Sequence, residues 1–273
     1  MKHLTPTEAF AFLASRPDAV LIDCRSRAEH RFVGHPVGAH HVAWNDVPDW
    51  DVNPHFVGEV AALCSAARPV VLICRSGQRS IAAGQALEAA GFVEVANVLG
   101  GFEGPLDRDH HRGNIAGWRH DGLPWEQTDG DDGLTSATDR ARLPPMKHLT
   151  AREAHDFLAA TPDAVFIDCR SEMEYLFVGH PVGALHVAWN DGPDWDINPH
   201  FVGQVRKIAS MNRPVVIICR SGQRSVAAGE ALERAGFADV YNVTEGFEGP
   251  LDEHHHRNTV SGWRMEGLPW EQA

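Results

Sequence analysis

Short apolar runs recur along the chain and are separated by stretches of mixed polarity. "AVLID" at residues 19 to 23 and "PVVLIC" at 69 to 74 are rich in β-branched residues, and "VEVANV" follows at 93 to 98. Uninterrupted runs of this length are typical of short strands buried on both faces of a parallel sheet. We therefore predict three buried strands in the first half of the chain.

Helical patterns lie between these runs. Thr5 and Glu8 have the spacing of a capping box ahead of "AFAFL", which predicts a first helix. "FVGEVAALCSA" at 56 to 66 and the alanine-rich "SIAAGQALEAAGF" at 80 to 92 predict two more, the last ending at Gly91. Alternating strands and helices predict an α/β fold, in which a parallel sheet is flanked by helices on both faces.

The chain repeats itself at an offset of 145 residues. "MKHLT" at 1 to 5 returns at 146 to 150, and "GLPWEQ" at 122 to 127 returns at 267 to 272. Without a gap, roughly 70% of aligned positions are identical, far above the similarity of ordinary structural repeats. We predict one domain at 1–128, a polar linker at 129–145 that ends in two prolines, and a second domain at 146–273.

Composition excludes several classes of protein. The net charge is −13 and the pI is about 5.7, so binding to nucleic acid is not expected. The sequence has no run of about 18 apolar residues, so no membrane span is predicted. "MKHLTPTEAF" lacks the apolar stretch of a secretory signal. The five cysteines lack the spacing of a disulfide framework. These features predict a cytoplasmic protein with free thiols and no membrane partner.

The chemistry centres on "CRSGQRS", which occupies residues 74 to 80 and again 219 to 225. Cys74 ends a predicted strand and Ser80 begins a predicted helix, so the loop lies at the edge where α/β proteins bind ligands. Gly77 permits a turn that directs backbone amides inward, and the helix N-terminus and two arginines add positive charge. These features favour a reactive thiolate over a cysteine that only packs.

The loop, together with "DCR" at 23 to 25, Glu29, "GHPVGA" at 34 to 39 and the closing "GFEG" segments, resembles the rhodanese sulfurtransferase family. The resemblance covers both repeats nearly end to end. It implies two tandem rhodanese-like domains, each with a central parallel five-stranded sheet flanked by helices. It also implies transfer of a sulfane sulfur from thiosulfate or a similar anion, through a cysteine persulfide, to cyanide, a small thiol or a protein thiol. Neither a metal nor an organic cofactor is required.

The resemblance also implies roles for individual residues. Cys74 is the nucleophile, Arg75 holds the sulfonate end of the donor, and Arg79 closes the loop around the persulfide. The backbone amides come from Ser76, Gly77 and Gln78. In the second copy the same roles fall to Cys219, Arg220, Ser221, Gly222, Gln223 and Arg224. Familiar two-domain members keep the cysteine only in the second domain, whereas both copies have it here, so we expect two competent sites.

Other residues are expected to support the site. Asp23 with Arg25, and Asp168 with Arg170, are predicted to form salt bridges beside it. The hydroxyls of Ser80 and Ser225 are expected to cap the following helix.

The remaining cysteines and histidines are expected to be structural. Cys24 and Cys169 are expected to point into the core, with a resolving-thiol role as the lesser alternative, and Cys64, which is alanine at 209, to pack beside a helix. The histidines at 110 to 111 and 254 to 256 lack metal-ligand spacing and predict solvated loops.

Two alternatives remain open at this stage. A cysteine phosphatase or arsenate reductase would use a similar loop, but enzymes of the Cys-x5-Arg type place five residues between cysteine and arginine, whereas four separate Cys74 from Arg79. A sulfur-relay or docking module would form the persulfide and turn over small acceptors very slowly.

Overall fold

The computed structural model describes residues 1–47, 49–127, 146–192 and 195–272. The predicted linker at 129–145 lies outside the described residues, so its boundaries stay a prediction. The chain divides into two compact units, Met1–Thr128 and Asp129–Ala273.

The first unit alternates strands with helices. Its elements are, in chain order, β1 (Lys2–Leu4), α1 (Pro6–Ser15), β2 (Val20–Asp23), a short π-helix (Glu29–Val33), β3 (His35–Pro36), β4 (His40–His41), α2 (Phe56–Leu63), β5 (Val70–Ile73), α3 (Arg79–Ala89), β6 (Val95–Val98) and β7 (Trp125–Glu126). Five of the strands form one parallel sheet in the order β1-β6-β5-β2-β4. The remaining strands β3 and β7 pair antiparallel.

The sheet is buried on both faces. Alternate residues of β2 and β5 enter an apolar cluster with residues of α2 and α3, among them Ile22, Leu72, Phe56, Val60 and Leu87. The intervening residues Leu21, Val71 and Ile73 are also buried, and the alternation of a strand turns them to the other face. The strand sequences are almost continuously apolar because helices and loops cover both faces of a parallel sheet.

The second unit repeats this architecture. Its elements are β8 (Lys147–Leu149), α4 (Ala151–Ala160), β9 (Val165–Asp168), α5 (Glu172–Val178), β10 (His180–Pro181), β11 (Leu185–His186), β12 (Asn190–Asp191), β13 (Asp196–Ile197), α6 (Phe201–Ile208), β14 (Val215–Ile218), α7 (Arg224–Arg234), β15 (Val240–Val243) and β16 (Trp270–Glu271). Its parallel five-stranded sheet has the order β11-β9-β14-β15-β8. The predicted α/β fold class is confirmed in both units.

Most predicted elements are present and several short ones were not anticipated. The capping box of Thr5 and Glu8 begins α1, and the other two predicted helices are α2 and α3. Apolar runs do not predict the edge strands β1 and β4, because these strands are short and largely polar. Among the described residues, no helix is long and apolar enough to cross a membrane.

The "GFEG" segment of the first unit lies directly beneath the cysteine loop. The amide of Phe102 donates a hydrogen bond to the carbonyl oxygen of Cys74 (2.8 Å), and the amide of Glu103 donates one to that of Arg75 (2.9 Å). Gly101 has φ +62°, and a Cβ added there would overlap the Cys74 carbonyl oxygen. The close approach of the two backbones therefore requires glycine at position 101.

We expect Gly101→Ala to destabilise the first unit more than Gly38→Ala does. Both glycines have positive φ, which costs an L residue about 1–2 kcal/mol, but nothing lies within 4 Å of a Cβ added at Gly38. The additional loss at Gly101 comes from the overlap with the Cys74 carbonyl. Urea unfolding followed by tryptophan fluorescence measures the difference, and equal midpoints for the two variants would contradict the packing described here.

Candidate active site

Cys74 lies between a strand and a helix. It follows β5, α3 begins at Arg79, and only 1% of the cysteine is exposed. Gly77 turns the loop with φ +85°, and a Cβ there would approach the carbonyl oxygen of Val98 to 2.9 Å. The predicted position of the cysteine at the carboxyl end of a buried strand is confirmed.

Two donors converge on the Cys74 sulfur. The amide of Gly77 lies 3.2 Å from Sγ, and the hydroxyl of Ser80 lies 3.1 Å from it. The Ser80 hydroxyl is also 2.5 Å from Oδ1 of Asn97, a buried residue of β6. Ser80 has a single hydroxyl proton, so these two acceptors share it. A polar side chain inside the apolar run "VANV" is thus explained by its contact with the serine.

The expectation that Ser80 and Ser225 cap the following helices is wrong. In both copies the residue before the helix is glutamine, and no side-chain hydrogen bond caps the helix. Each serine is the second residue of its helix, which directs its hydroxyl back towards the cysteine sulfur instead. Each serine hydroxyl therefore contacts the cysteine sulfur directly.

The second copy reproduces this geometry. The amide of Gly222 lies 3.2 Å from the Cys219 sulfur and the Ser225 hydroxyl lies 3.2 Å from it. The Ser225 hydroxyl is 2.6 Å from Oδ1 of Asn242. Cys219 is 1% exposed, as Cys74 is.

Both cysteines are acidic for thiols. The pKa of Cys74 is lowered to about 5 because a hydrogen bond from Cys24, hydrogen bonds from Ser80 and the charge of Arg79 together outweigh the opposing effect of burial. For Cys219, burial raises the pKa, but the hydrogen bond from Cys169 and the charge of Arg224 more than offset it, and the pKa is again about 5. Both sulfurs are therefore thiolates at neutral pH.

A second buried cysteine lies in the same apolar cluster as each thiolate. Cys24 follows β2 and is fully buried in the same apolar cluster as Cys74, which confirms that its side chain points into the core. Burial and the neighbouring Cys74 raise the pKa of Cys24 well above its usual range. Cys169 stands in the same relation to Cys219. The two thiols share one proton, and the donors of the loop place the negative charge on Cys74.

Arg79 is held in place by a buried carboxylate. Its guanidinium forms a bidentate pair with Glu29, with Nη–Oε distances of 2.8 and 2.6 Å. Glu29 also accepts hydrogen bonds from the amide and the hydroxyl of Ser26. Arg224 pairs with Glu174 at the same distances.

Glu29 is part of the motif that carries the family resemblance, but its pairing with Arg79 is not predicted from the sequence. The capping-box spacing of Ser26 and Glu29 is the sequence feature that could have identified Glu29 as a structured residue. In the second copy, Ser171 and Glu174 have the same spacing and form the capping box that begins α5.

The predicted salt bridges beside the loop are confirmed. Arg25 and Asp23 are both fully buried, with Nη2 and Oδ2 2.6 Å apart, and Arg170 pairs with Asp168 at the same distance. Nη2 of Arg25 also donates to the carbonyl oxygen of Gly34 (2.6 Å). Each arginine thereby links the end of its strand, β2 or β9, to the glycine at the end of the following helix.

Arg75 faces a carboxylate of the "GFEG" segment. Its Nε lies 3.6 Å from Oε1 of Glu103, which in turn lies 3.9 Å from Nη1 of Arg25. The corresponding Arg220 is more deeply placed, with 2% of its side chain exposed against 16% for Arg75. The site of the first copy is thus the more accessible of the two.

Aromatic rings lie over the helix arginines. The Arg79 guanidinium is 5.8 Å from the centre of the Trp50 ring, and that of Arg224 is 5.2 Å from the Trp195 ring. Both tryptophans have positive φ, near 60°. These rings belong to the long proline-punctuated connections and form one side of the surroundings of each arginine.

Other predicted residues are less directly engaged. Ser76, Gln78, Ser221 and Gln223 lie on the two loops, and their contribution to ligand binding stays a prediction. Cys64 is buried beside the end of α2, as expected. In the histidine segments, Asp107 and Asp252 accept backbone hydrogen bonds. Within the described ranges no group of histidine, cysteine or carboxylate residues is arranged to hold a metal ion.

The arrangement is suited to nucleophilic chemistry without a separate base. A thiolate is already present, so no proton has to be removed before it attacks. The helix N-terminus, the loop amide and the arginine charge stabilise negative charge at and next to the sulfur.

Comparison with known proteins identifies a family. The family description "Rhodanese-like domain" matches residues 6–105 and 150–252. "Thiosulfate sulfurtransferase 16, chloroplastic" of Arabidopsis thaliana is 30% identical over 133 residues, which span 48% of this chain and 96% of that protein. Thiosulfate sulfurtransferase GlpE of Pseudomonas putida is 30% identical over 107 residues, 39% of this chain and 81% of that protein.

A solved structure has similar sequence to one of the two units. The crystal structure of Rv0390 from M. tuberculosis is 41% identical, covers 47% of this chain and 98% of its own, and has a TM-score of 0.43. The fold and the loop define an α/β domain with a cysteine at a strand-to-helix junction. The chain belongs to the rhodanese-like domain family and contains two such domains.

We expect the thiolates to titrate near pH 5, and Ser80→Ala to raise the pKa of Cys74 by removing a donor. Cys219 keeps Ser225, so it is an internal control in the same chain. The pH dependence of alkylation at each cysteine, read by peptide mass spectrometry, measures both pKa values. An equal shift at both cysteines, or none at Cys74, would contradict the assigned role of the hydroxyl.

Proposed function

We propose that the protein is a sulfurtransferase that carries a sulfane sulfur as a persulfide on Cys74 and on Cys219. The observation that supports this most strongly is the loop itself. In both copies an amide and a hydroxyl converge on a buried thiolate, and the first arginine of the following helix is fixed by a bidentate carboxylate. The similarity to thiosulfate sulfurtransferases supports the same reaction class.

The donor in this proposal is thiosulfate or an anion like it. The Cys74 thiolate attacks the outer sulfur, a new S–S bond forms to Sγ, and the bond to the sulfonate sulfur breaks. Its electron pair leaves with sulfite, so the charges balance without an oxidant. An acceptor thiolate or cyanide then attacks the outer sulfur of the persulfide and restores the Cys74 thiolate.

The two arginines have different parts in this proposal. Arg79 is tied to Glu29 and supplies a fixed positive charge next to the sulfur. Arg75 is partly exposed, and its planar guanidinium suits the binding of sulfonate oxygens. Sulfite is released from the position next to Arg75 that the sulfonate group of the donor occupied.

Burial of the cysteine favours small acceptors. With 1% of Cys74 exposed, the transferred sulfur is the part of the persulfide that reaches outward. Cyanide and small thiols fit such a site more readily than the thiol of a large folded protein does. The four-residue spacing between Cys74 and Arg79 also leaves less room for a tetrahedral phosphate than the five-residue loops of phosphatases do.

We expect thiosulfate to add two sulfur atoms to the wild-type chain, one to Cys74→Ser, one to Cys219→Ser and none to the double variant. Intact-mass spectrometry counts the sulfurs, and a thiosulfate:cyanide assay reports turnover. Cys64→Ala is the matched control, because its equivalent in the second copy is Ala209.

Three results would argue against the proposal. A wild-type chain that gains no sulfur rules out the persulfide. Hydrolysis of an aryl phosphate faster than thiosulfate:cyanide turnover would favour the phosphatase alternative. A stable persulfide with negligible turnover to cyanide or small thiols would favour the relay module.

A further inference from the structure

Each proposed nucleophile has a second cysteine beside it that the transfer reaction does not use. Asp23 of β2 pairs with Ile73 of β5, so Cys24 and Cys74 are opposite one another one residue further along. The amide of Cys24 donates to the carbonyl oxygen of Ile73 (2.8 Å), which continues the ladder to this position. The register therefore places the two cysteines side by side, each one residue beyond the end of one of two adjacent parallel strands.

Their side chains point the same way. Ile22 and Cys24 on one strand, and Leu72 and Cys74 on the next, belong to a single buried cluster. Adjacent strands are about 4.8 Å apart, within the separation of about 4.4–6.8 Å that disulfides bridge between Cα atoms. The two cysteine side chains are therefore neighbours on one face of the sheet, and a hydrogen bond from the Cys24 thiol lowers the pKa of Cys74.

The second unit has the same pair. Asp168 pairs with Ile218, the amide of Cys169 donates to the Ile218 carbonyl oxygen (2.9 Å), and Cys169 and Cys219 share one buried cluster. The strand pairing is the same in both units, so Cys169 and Cys219 lie opposite one another as Cys24 and Cys74 do. Cys64 differs, since it ends a helix and has no counterpart in the second copy.

We propose that Cys24 and Cys169 are resolving cysteines that discharge a persulfide left without an acceptor. This inference rests on the proposed function. The Cys24 thiol attacks Sγ of the Cys74 persulfide, a Cys24–Cys74 disulfide forms, and the bond to the outer sulfur breaks. The outer sulfur takes the electron pair and the Cys24 proton, and leaves as hydrogen sulfide.

This reaction needs no external oxidant. The outer sulfur is reduced to hydrogen sulfide while the Cys24 sulfur is oxidised to the disulfide level, and Sγ of Cys74 keeps the oxidation state it had in the persulfide, so electrons and atoms balance. The product lacks a thiolate, and the site stays inactive until a reducing thiol opens the disulfide. A persulfide that meets no acceptor is thereby converted to an inactive disulfide, and reduction by an external thiol restores the Cys74 thiolate.

Burial makes this reaction slower than transfer to an acceptor. Cys24 is fully buried and its thiol is protonated at neutral pH, because burial and the Cys74 charge raise its pKa. Attack by Cys24 therefore proceeds from a small thiolate fraction. Transfer to an acceptor wins when an acceptor is abundant, and disulfide formation wins when none arrives.

The test uses the full chain with Cys219→Ser, so that only the first site carries sulfur. The protein is loaded with thiosulfate under nitrogen, freed of small molecules and left without an acceptor. We expect it first to be heavier by one sulfur atom and then lighter than the reduced protein by two hydrogens. One hydrogen sulfide is released per chain, and a non-reducing peptide map links Cys24 to Cys74.

Matched variants in the same background separate the steps. Cys219→Ser with Cys24→Ser keeps its extra sulfur and releases no sulfide, as does Cys24→Ala if serine disturbs the core. Cys219→Ser with Cys64→Ala behaves as Cys219→Ser does. The peptide map needs no substitution at Cys24, so it tests the disulfide even if both Cys24 variants fold poorly.

Failure of this inference differs from failure of the proposed function. If the extra sulfur persists equally with and without Cys24, and no Cys24–Cys74 peptide forms, the resolving role is wrong while the sulfurtransferase proposal stands. If none of the variants that retain Cys74 gains sulfur, both are wrong.

Discussion

The stabilisation of one buried thiolate is the constraint on which each domain depends. An anion with 1% exposure needs compensating donors, because burial alone favours the neutral thiol. The Gly77 amide, the Ser80 hydroxyl, the Cys24 thiol and the Arg79 charge supply that compensation. They come from three parts of the fold, the end of β2 (Cys24), the loop (Gly77) and α3 (Arg79 and Ser80), so the sheet, the loop and α3 must assemble before the thiolate is stable.

Further buried polar groups hold those donors in position. Asn97 accepts from Ser80, Glu29 orients Arg79, and Asp23 pairs with the fully buried Arg25. Buried ion pairs contribute little net stability, since desolvation offsets most of their attraction. Their role here is geometric, because they set the orientation of side chains that contact the reactive sulfur. The same set in the second domain, with a more deeply buried Arg220, builds the same site with less access.

The sequence was sufficient for the strands, the main helices, the duplication and the position of the cysteine, since these follow from apolar runs and a fixed offset. It was insufficient where polar residues act at a distance. Nothing local links Asn97 to Ser80 or Cys24 to Cys74, because those contacts exist only once β2, β5 and β6 are in register. The capping role expected of Ser80 failed for the same reason, as the nearby sulfur takes the place of the helix amides.

A crystal structure after brief soaking with thiosulfate tests the central claim most directly. The account predicts one additional atom bonded to Sγ of Cys74 and of Cys219, directed outward and within hydrogen-bond distance of the loop amides. Intact thiosulfate bound away from both sulfurs, or unmodified cysteines in crystals that bind the anion, would contradict it.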